Sequence, residues 1–126
     1  MPKILVVDDD KQITFFLEKL LKMEGYEITS VNESSKTIET ADSVRPDLFI
    51  LDLMMPEPNG FELCRMLRAS PSFAHTPIVI ITAMDDSDSK AIATVAGAND
   101  YITKPFRPDE LARRIKAVFG RVKKQK

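Results

Sequence analysis

The chain has 126 residues, 44% of them hydrophobic and 29% charged, with a formal net charge of −1. That length suits one domain with its own core, and that composition excludes a disordered chain. The near-zero charge offers no global field to nucleic acid or an anionic membrane, and a single cysteine, Cys64, excludes an intrachain disulfide. No apolar run reaches the roughly 20 residues of a membrane span. Met1-Pro2-Lys3-Ile4 runs straight into a strand pattern without signal-peptide architecture, so a cytoplasmic protein is expected.

The run Ile4-Leu5-Val6-Val7 reads as a strand buried on both faces. A helical face follows at Ile13, Phe16, Leu17, Leu20 and Leu21, with Gly25 as its left-handed stop. Tyr26 to Val31 alternates like an edge strand. Asn32 to Ser43 reads as a weaker helix anchored by Ile38, Ala41 and Val44, and Pro46 punctuates before the strand Leu48-Phe49-Ile50-Leu51. Asn59 is an N-cap for a helix carrying Phe61, Leu63, Cys64 and Leu67.

Ile78-Val79-Ile80-Ile81 is the fourth strand, and a short alanine-rich helix from Ser89 to Ala96 ends at Gly97. Tyr101-Ile102 marks the last strand. Pro108 opens the last helix, with Asp109 and Glu110 favourable to its dipole and Leu111, Ile115, Val118 and Val122 on its buried stripe. Five β-α units with right-handed crossovers predict an α/β doubly wound, flavodoxin-like parallel sheet of five strands, order 2-1-3-4-5, with helices on both faces. Residues 1–119 form the domain, and 120–126 read as a tail or the start of a linker. Eight of the 18 basic residues lie from Arg107 onward against two acids, which reads as a solvated helix face, not as a nucleic-acid contact.

In such sheets, ligands bind outside the carboxyl ends of the strands. Asp8 and Asp9 end the first strand, Asp52 the third and Thr82 the fourth, while Lys104 follows the fifth. Three carboxylates, a hydroxyl and an ammonium at one edge suit a magnesium ion and a phosphoryl group. The adjacent carboxylates repel unless a cation is present. Asp10 suffices to cap the next helix, which leaves Asp8 and Asp9 free for other work. Asp52 beside a cation can attack phosphorus to give an acyl phosphate, and Lys104 can pair with the carboxylate and then with a phosphoryl oxygen. A cis Lys104-Pro105 peptide would turn the lysine back towards the strand ends. His75, in the loop from Pro71 to Pro77, reads as a surface residue, so the phosphoryl donor is a separate protein.

This pattern resembles the receiver domain of two-component response regulators over about residues 3 to 119. The likeness rests on Val6-Val7-Asp8-Asp9, on Asp52-Leu53-Met54-Met55-Pro56 with Gly60, on Thr82-Ala83, and on Gly97-Ala98 through Asp100-Tyr101 to Lys104-Pro105-Phe106. It implies that Asp52 accepts a phosphoryl group from a histidine kinase or histidine phosphotransfer protein. It also implies Mg2+ or Mn2+ held by Asp8, Asp9, Asp52 and the Met54 backbone carbonyl, Lys104 on the phosphoryl group, and a Thr82–Tyr101 switch. The switch would reshape the face of the fourth helix, fifth strand and fifth helix to control an output domain, such as a DNA-binding one, or a partner. Lys90, Asp100, Glu110 and Arg114 are expected on a phosphorylation-promoted homodimer face. Met54 and Met84, two residues past Asp52 and Thr82, stand where that family tunes hydrolysis. Pro58-Asn59 departs from the family's usual pair before the glycine.

A stand-alone receiver acting by protein contact is the alternative. An aspartate-nucleophile phosphohydrolase of the haloacid dehalogenase type needs a second acid two residues after the nucleophile, where this chain has Met54. A flavin binder needs Ser, Thr or Gly amides after the first strand to cradle its phosphate, which Asp8-Asp9-Asp10 would repel. A purely structural module would take no phosphate from acetyl phosphate.

Overall fold

Each apolar run becomes a parallel strand in the computed structural model, which describes residues 1–124 and the side chains up to Arg121. The order along the chain is β1 (Lys3–Val7), α1 (Lys11–Met23), β2 (Glu27–Val31), α2 (Thr37–Val44), β3 (Leu48–Leu51), α3 (Gly60–Ala69), β4 (Ile78–Thr82), α4 (Ser87–Ala96), β5 (Asp100–Thr103) and α5 (Pro108–Lys124). The sheet order is β2-β1-β3-β4-β5, all pairs parallel, as the sequence predicts.

Alternate strand residues feed two core layers. Leu5, Val7, Phe49, Leu51, Ile78 and Ile80 face α2, α3 and α4, meeting Ala41, Leu63, Cys64, Leu67, Ala93 and Ala96. Ile4, Val6, Ile50, Val79, Ile81 and Ile102 face α1 and α5, meeting Leu17, Leu21, Leu111, Ile115 and Val118. A continuous apolar run is what a strand covered on both faces requires. Fully burying one such side chain contributes about 1.5–3 kcal/mol.

Local chemistry sets the helix ends. Asp10 caps α1 through the Gln12 amide, and Asn59 with Glu62 forms a reciprocal capping box on α3. Gly25 takes the expected positive φ. Three boundaries differ from the sequence reading. The segment from Asn32 is not one helix, because a 3₁₀ turn over Ser34–Lys36 precedes α2. Helix α4 starts earlier, at Ser87, because Asp86 caps it through the Ser89 amide. Helix α5 continues through Gly120 to Lys124, so the expected tail begins as helix. The Val122 side chain, Gln125 and Lys126 lie outside the described residues. No helix among the described residues is long and apolar enough to cross a membrane.

Candidate functional site

Register brings the acidic strand ends together. Val7 pairs with Leu51, and the Asp52 amide donates to the Val7 carbonyl at 3.0 Å, so Asp52 sits directly beside the end of β1. The Asp8 amide donates to Val31 at 3.1 Å and extends the β1–β2 pairing by one residue. Across β4, the Lys104 amide donates to the Thr82 carbonyl at 2.8 Å, which directs the lysine over the same edge. The Lys104–Pro105 peptide is cis, and so is Glu57–Pro58, which the sequence did not suggest.

The Lys104 ammonium bridges two carboxylates, donating to Asp8 Oδ2 at 2.8 Å and Asp52 Oδ2 at 3.1 Å. Both acids are buried, 3% and 7% exposed respectively, whereas Asp9 is exposed. The sequence reading paired Lys104 with Asp52 at rest; in the structure its shorter bond goes to Asp8. The remaining carboxylate oxygens take backbone donors, Asp8 Oδ1 from Asp10 at 2.9 Å and Asp52 Oδ1 from Met54 at 3.2 Å.

Burial is the main force on Asp8 and holds its pKa above the ordinary carboxylate range, with the Asp52 charge adding to it against Lys104 and the Asp10 amide. Burial works the other way on the Lys104 ammonium, but the two carboxylates outweigh it and raise its pKa. The pocket therefore holds more negative charge than one lysine comfortably balances. Asp8, Asp9 and Asp52 each offer an oxygen, all within 4.8 Å of one another. Hard oxygen donors with one exposed member fit a magnesium-sized cation that keeps part of its water shell.

Other groups support this edge. The Asn32 amide donates to the Asp8 carbonyl at 2.9 Å and to Thr14 Oγ1 at 3.1 Å, fixing the β1 turn. Gly60 packs so closely behind Asp52 that a Cβ would overlap the Asp52 carbonyl and Leu53 Cα. Sequence reasoning assigned Asn32 no role, because its partners are a backbone group and a hydroxyl.

Thr82 is fully buried at the end of β4, its hydroxyl 3.5 Å from the Met84 amide. Tyr101 is half-buried, and its hydroxyl donates to the Met84 carbonyl at 2.6 Å, so the sequence's two switch residues converge on one loop segment. Burial, and next the Asp86 charge, raise the phenol's pKa. On the expected dimer face, Arg114 is already paired within the chain: with Asp100 at 2.6 and 3.1 Å, and with Glu110 at 3.6 Å. Lys90 lies 6.0 Å over the Tyr101 ring. Cys64 is buried and His75 exposed, as the sequence suggests.

The chain is similar to known proteins along almost its whole length. The response regulator receiver domain family matches residues 4–116. The alkaline phosphatase synthesis transcriptional regulatory protein PhoP of Bacillus subtilis is 38% identical over 94% of the chain and 49% of its own length. The DNA-binding response regulator MtrA of Mycobacterium tuberculosis is 40% identical over 94% of the chain and 51% of its own length. The chain thus spans about half the length of these curated relatives. Among solved structures, chemotaxis protein CheY4 of Vibrio cholerae superposes with a TM-score of 0.89 at 30% identity, covering 94% of this chain and 98% of that one. With the fold, the acidic strand ends and the bridging lysine in register, the chain belongs to the response regulator receiver family, the phosphoacceptor switch domains of two-component signalling.

Proposed function

We propose that Asp52 is the phosphoacceptor of this receiver, with Asp8, Asp9, Asp52 and the Met54 backbone carbonyl as holders of Mg2+ or Mn2+. The observation that carries this reading is the Lys104 ammonium shared between two buried carboxylates at one sheet edge. A bound divalent cation would neutralise the acidic pocket and the charge developing on the transferred phosphoryl group. Asp52 supplies the attacking carboxylate oxygen. As its O–P bond forms, the N–P bond of a phosphohistidine on a histidine kinase or phosphotransfer protein breaks, and the imidazole leaves. Lys104 is within reach to exchange its carboxylate contact for a phosphoryl oxygen. The Thr82 hydroxyl is the donor for another oxygen, and Tyr101 follows through the segment around Met84.

Residues 1–119 act as the switch, and α5 runs on from them to Lys124. A DNA-binding output is the favoured one, because relatives named for transcriptional regulation extend to about twice this length. As the acceptor for a histidine kinase or phosphotransfer protein, the chain acts in the cytoplasm. Incubation with acetyl phosphate and magnesium should add one phosphoryl group, read by intact mass. Asp52→Asn should take none; a phosphorylated Asp52→Asn chain overturns the assignment.

The acyl phosphate should be long-lived. Neither Met54, which is exposed beside Asp52, nor Met84 can orient a water for attack. Met54→Asn supplies a polar group there and should hasten phosphoryl loss by about tenfold, one factor of ten being about 1.4 kcal/mol of barrier. Decay of the phosphorylated mass after removal of acetyl phosphate measures it. Equal decay of the two proteins would sink the idea.

A further inference from the structure

Helix α4 carries its apolar side chains the wrong way round. Its sheet-facing positions are small, with Ser89, Ala93 and Ala96 buried. Its larger apolar residues point outward, Ile92 45% exposed and Val95 89% exposed. A β-branched residue on a solvated helix face lowers helix propensity and removes little from water. At 89% exposed, Val95 is not explained by the stability of this domain, and Ile92 leaves nearly half its surface in water.

Both line a groove of about 670 Å³ between α4 and α3, together with Ala69, Ala91 and Ala96. The only charged side chains in its lining are Arg65 and Arg68. Arg68 spends its donors on neutral oxygens: the Gly97, Phe73 and Thr76 carbonyls and Asn99 Oδ1, at 2.6–3.1 Å. Arg65 is exposed, and among the described residues neither arginine has a carboxylate within ion-pair distance. The nearby Glu62 is turned back into the α3 capping box. The groove therefore combines an apolar wall with uncompensated positive charge.

We propose that this α3–α4 groove docks an amphipathic helix of a protein partner, whose apolar stripe packs on Ile92 and Val95 and whose flanking carboxylates meet Arg65 in the field of Arg68. A channel between neighbouring helices takes a third helix by ridge-into-groove packing. Charge complementarity selects an acidic partner. It also argues against a second copy of this chain, since a two-fold contact centred here brings arginines towards arginines with no lining carboxylate between them. The proposal rests on α3 and α4 alone and is independent of the phosphoacceptor reading.

The test uses a stapled helical peptide with leucines on one face and glutamates flanking them, titrated into the isotope-labelled chain and followed by NMR. A matched peptide with lysines in place of the glutamates is the control. Amide shifts should centre on Ala69, Ala91, Ile92 and Val95. Val95→Glu and Arg65→Glu, both at exposed positions, should each weaken binding by about tenfold or more, as expected when a central contact is lost. The lysine peptide should bind more weakly than the glutamate one. The proposal is overturned by no binding, by equal binding of the two peptides, or by shifts centred instead on the exposed Phe15 and Phe16 of α1. Indifference to both substitutions overturns it too, as does sedimentation showing wild-type dimers that Val95→Glu dissolves.

Discussion

Helices α4 and α5 lie against opposite faces of the sheet and are held there by different means. Helix α5 buries Leu111, Ile115 and Val118 almost completely, and Arg114 clamps it to β5 through Asp100 and the Tyr101 carbonyl. Helix α4 inserts no large side chain at all. It is pinned at its C-terminal end instead. Arg68 of α3 grips the Gly97 carbonyl there, while the N-cap Asp86 closes only the helix's own first turn, accepting from the Ser89 amide and hydroxyl. A helix glued along its length resists displacement in proportion to its buried area, whereas a helix pinned at one end moves once that pin shifts. The weakly packed helix is also the one that follows Thr82 and the Met84 segment on which Tyr101 converges. Elements that move in switching are drawn from the low-stability end of a fold.

The largest expected effect breaks the well-packed side. Ile115→Ala removes a fully buried branched side chain and should cost about 2–5 kcal/mol in denaturant unfolding. Ala93→Gly, at the sheet-facing centre of α4, should cost only about 1 kcal/mol, mainly through helix propensity. Equal costs at the two sites would mean that α4 is held by packing after all.

Next in size is the pin. Gly97 has φ +115°, and a Cβ there would stand 2.7 Å from Arg68 Cγ. Gly97→Ala combines backbone strain with displacement of the guanidinium and should cost about 1–3 kcal/mol. Hydrogen exchange sharpens the comparison: the α4 amides should lose protection in this variant while those of α5 keep theirs. Uniform loss across both helices would show that the two are one cooperative unit.

Much of this arrangement was legible in the sequence because strands covered on both faces leave unbroken apolar runs, and each run ended in a residue able to do chemistry. The site was legible because Asp8, Asp52, Thr82 and Lys104 directly follow or close those runs, so strand order alone puts them at one edge. What stayed hidden depended on partners without side-chain identity. Arg68 binds mostly backbone carbonyls, and nothing in the sequence marks Phe73, Thr76 and Gly97 as its acceptors. The preference of Lys104 for Asp8 over Asp52 differs by only 0.3 Å, from 2.8 to 3.1 Å, which no spacing argument resolves. The α2 start does not show in the sequence, because Ser34–Lys36 forms a 3₁₀ turn, whose period does not register against a helical pattern this short. Helix α4 is two residues longer than its alanine-rich pattern suggests, and its orientation inverts the usual inference that the larger apolar residues of a helix face the core.

That inversion gives the smallest predicted effect and the most diagnostic one. Val95 is 89% exposed, so its replacement leaves no cavity. Alanine restores helix propensity lost to β-branching, so Val95→Ala should leave stability unchanged or raise it by about 0.5 kcal/mol. The sign opposes that of Ile115→Ala, although both truncate a branched aliphatic residue on a helix. Thermal and denaturant unfolding of the isolated chain would measure both. A loss above about 1 kcal/mol at Val95 would exceed what surface positions show and would mean that the side chain is packed in solution, either by a second copy or by a different setting of α4. Repeating the measurement across protein concentrations separates those two, because only self-association makes the unfolding midpoint depend on concentration.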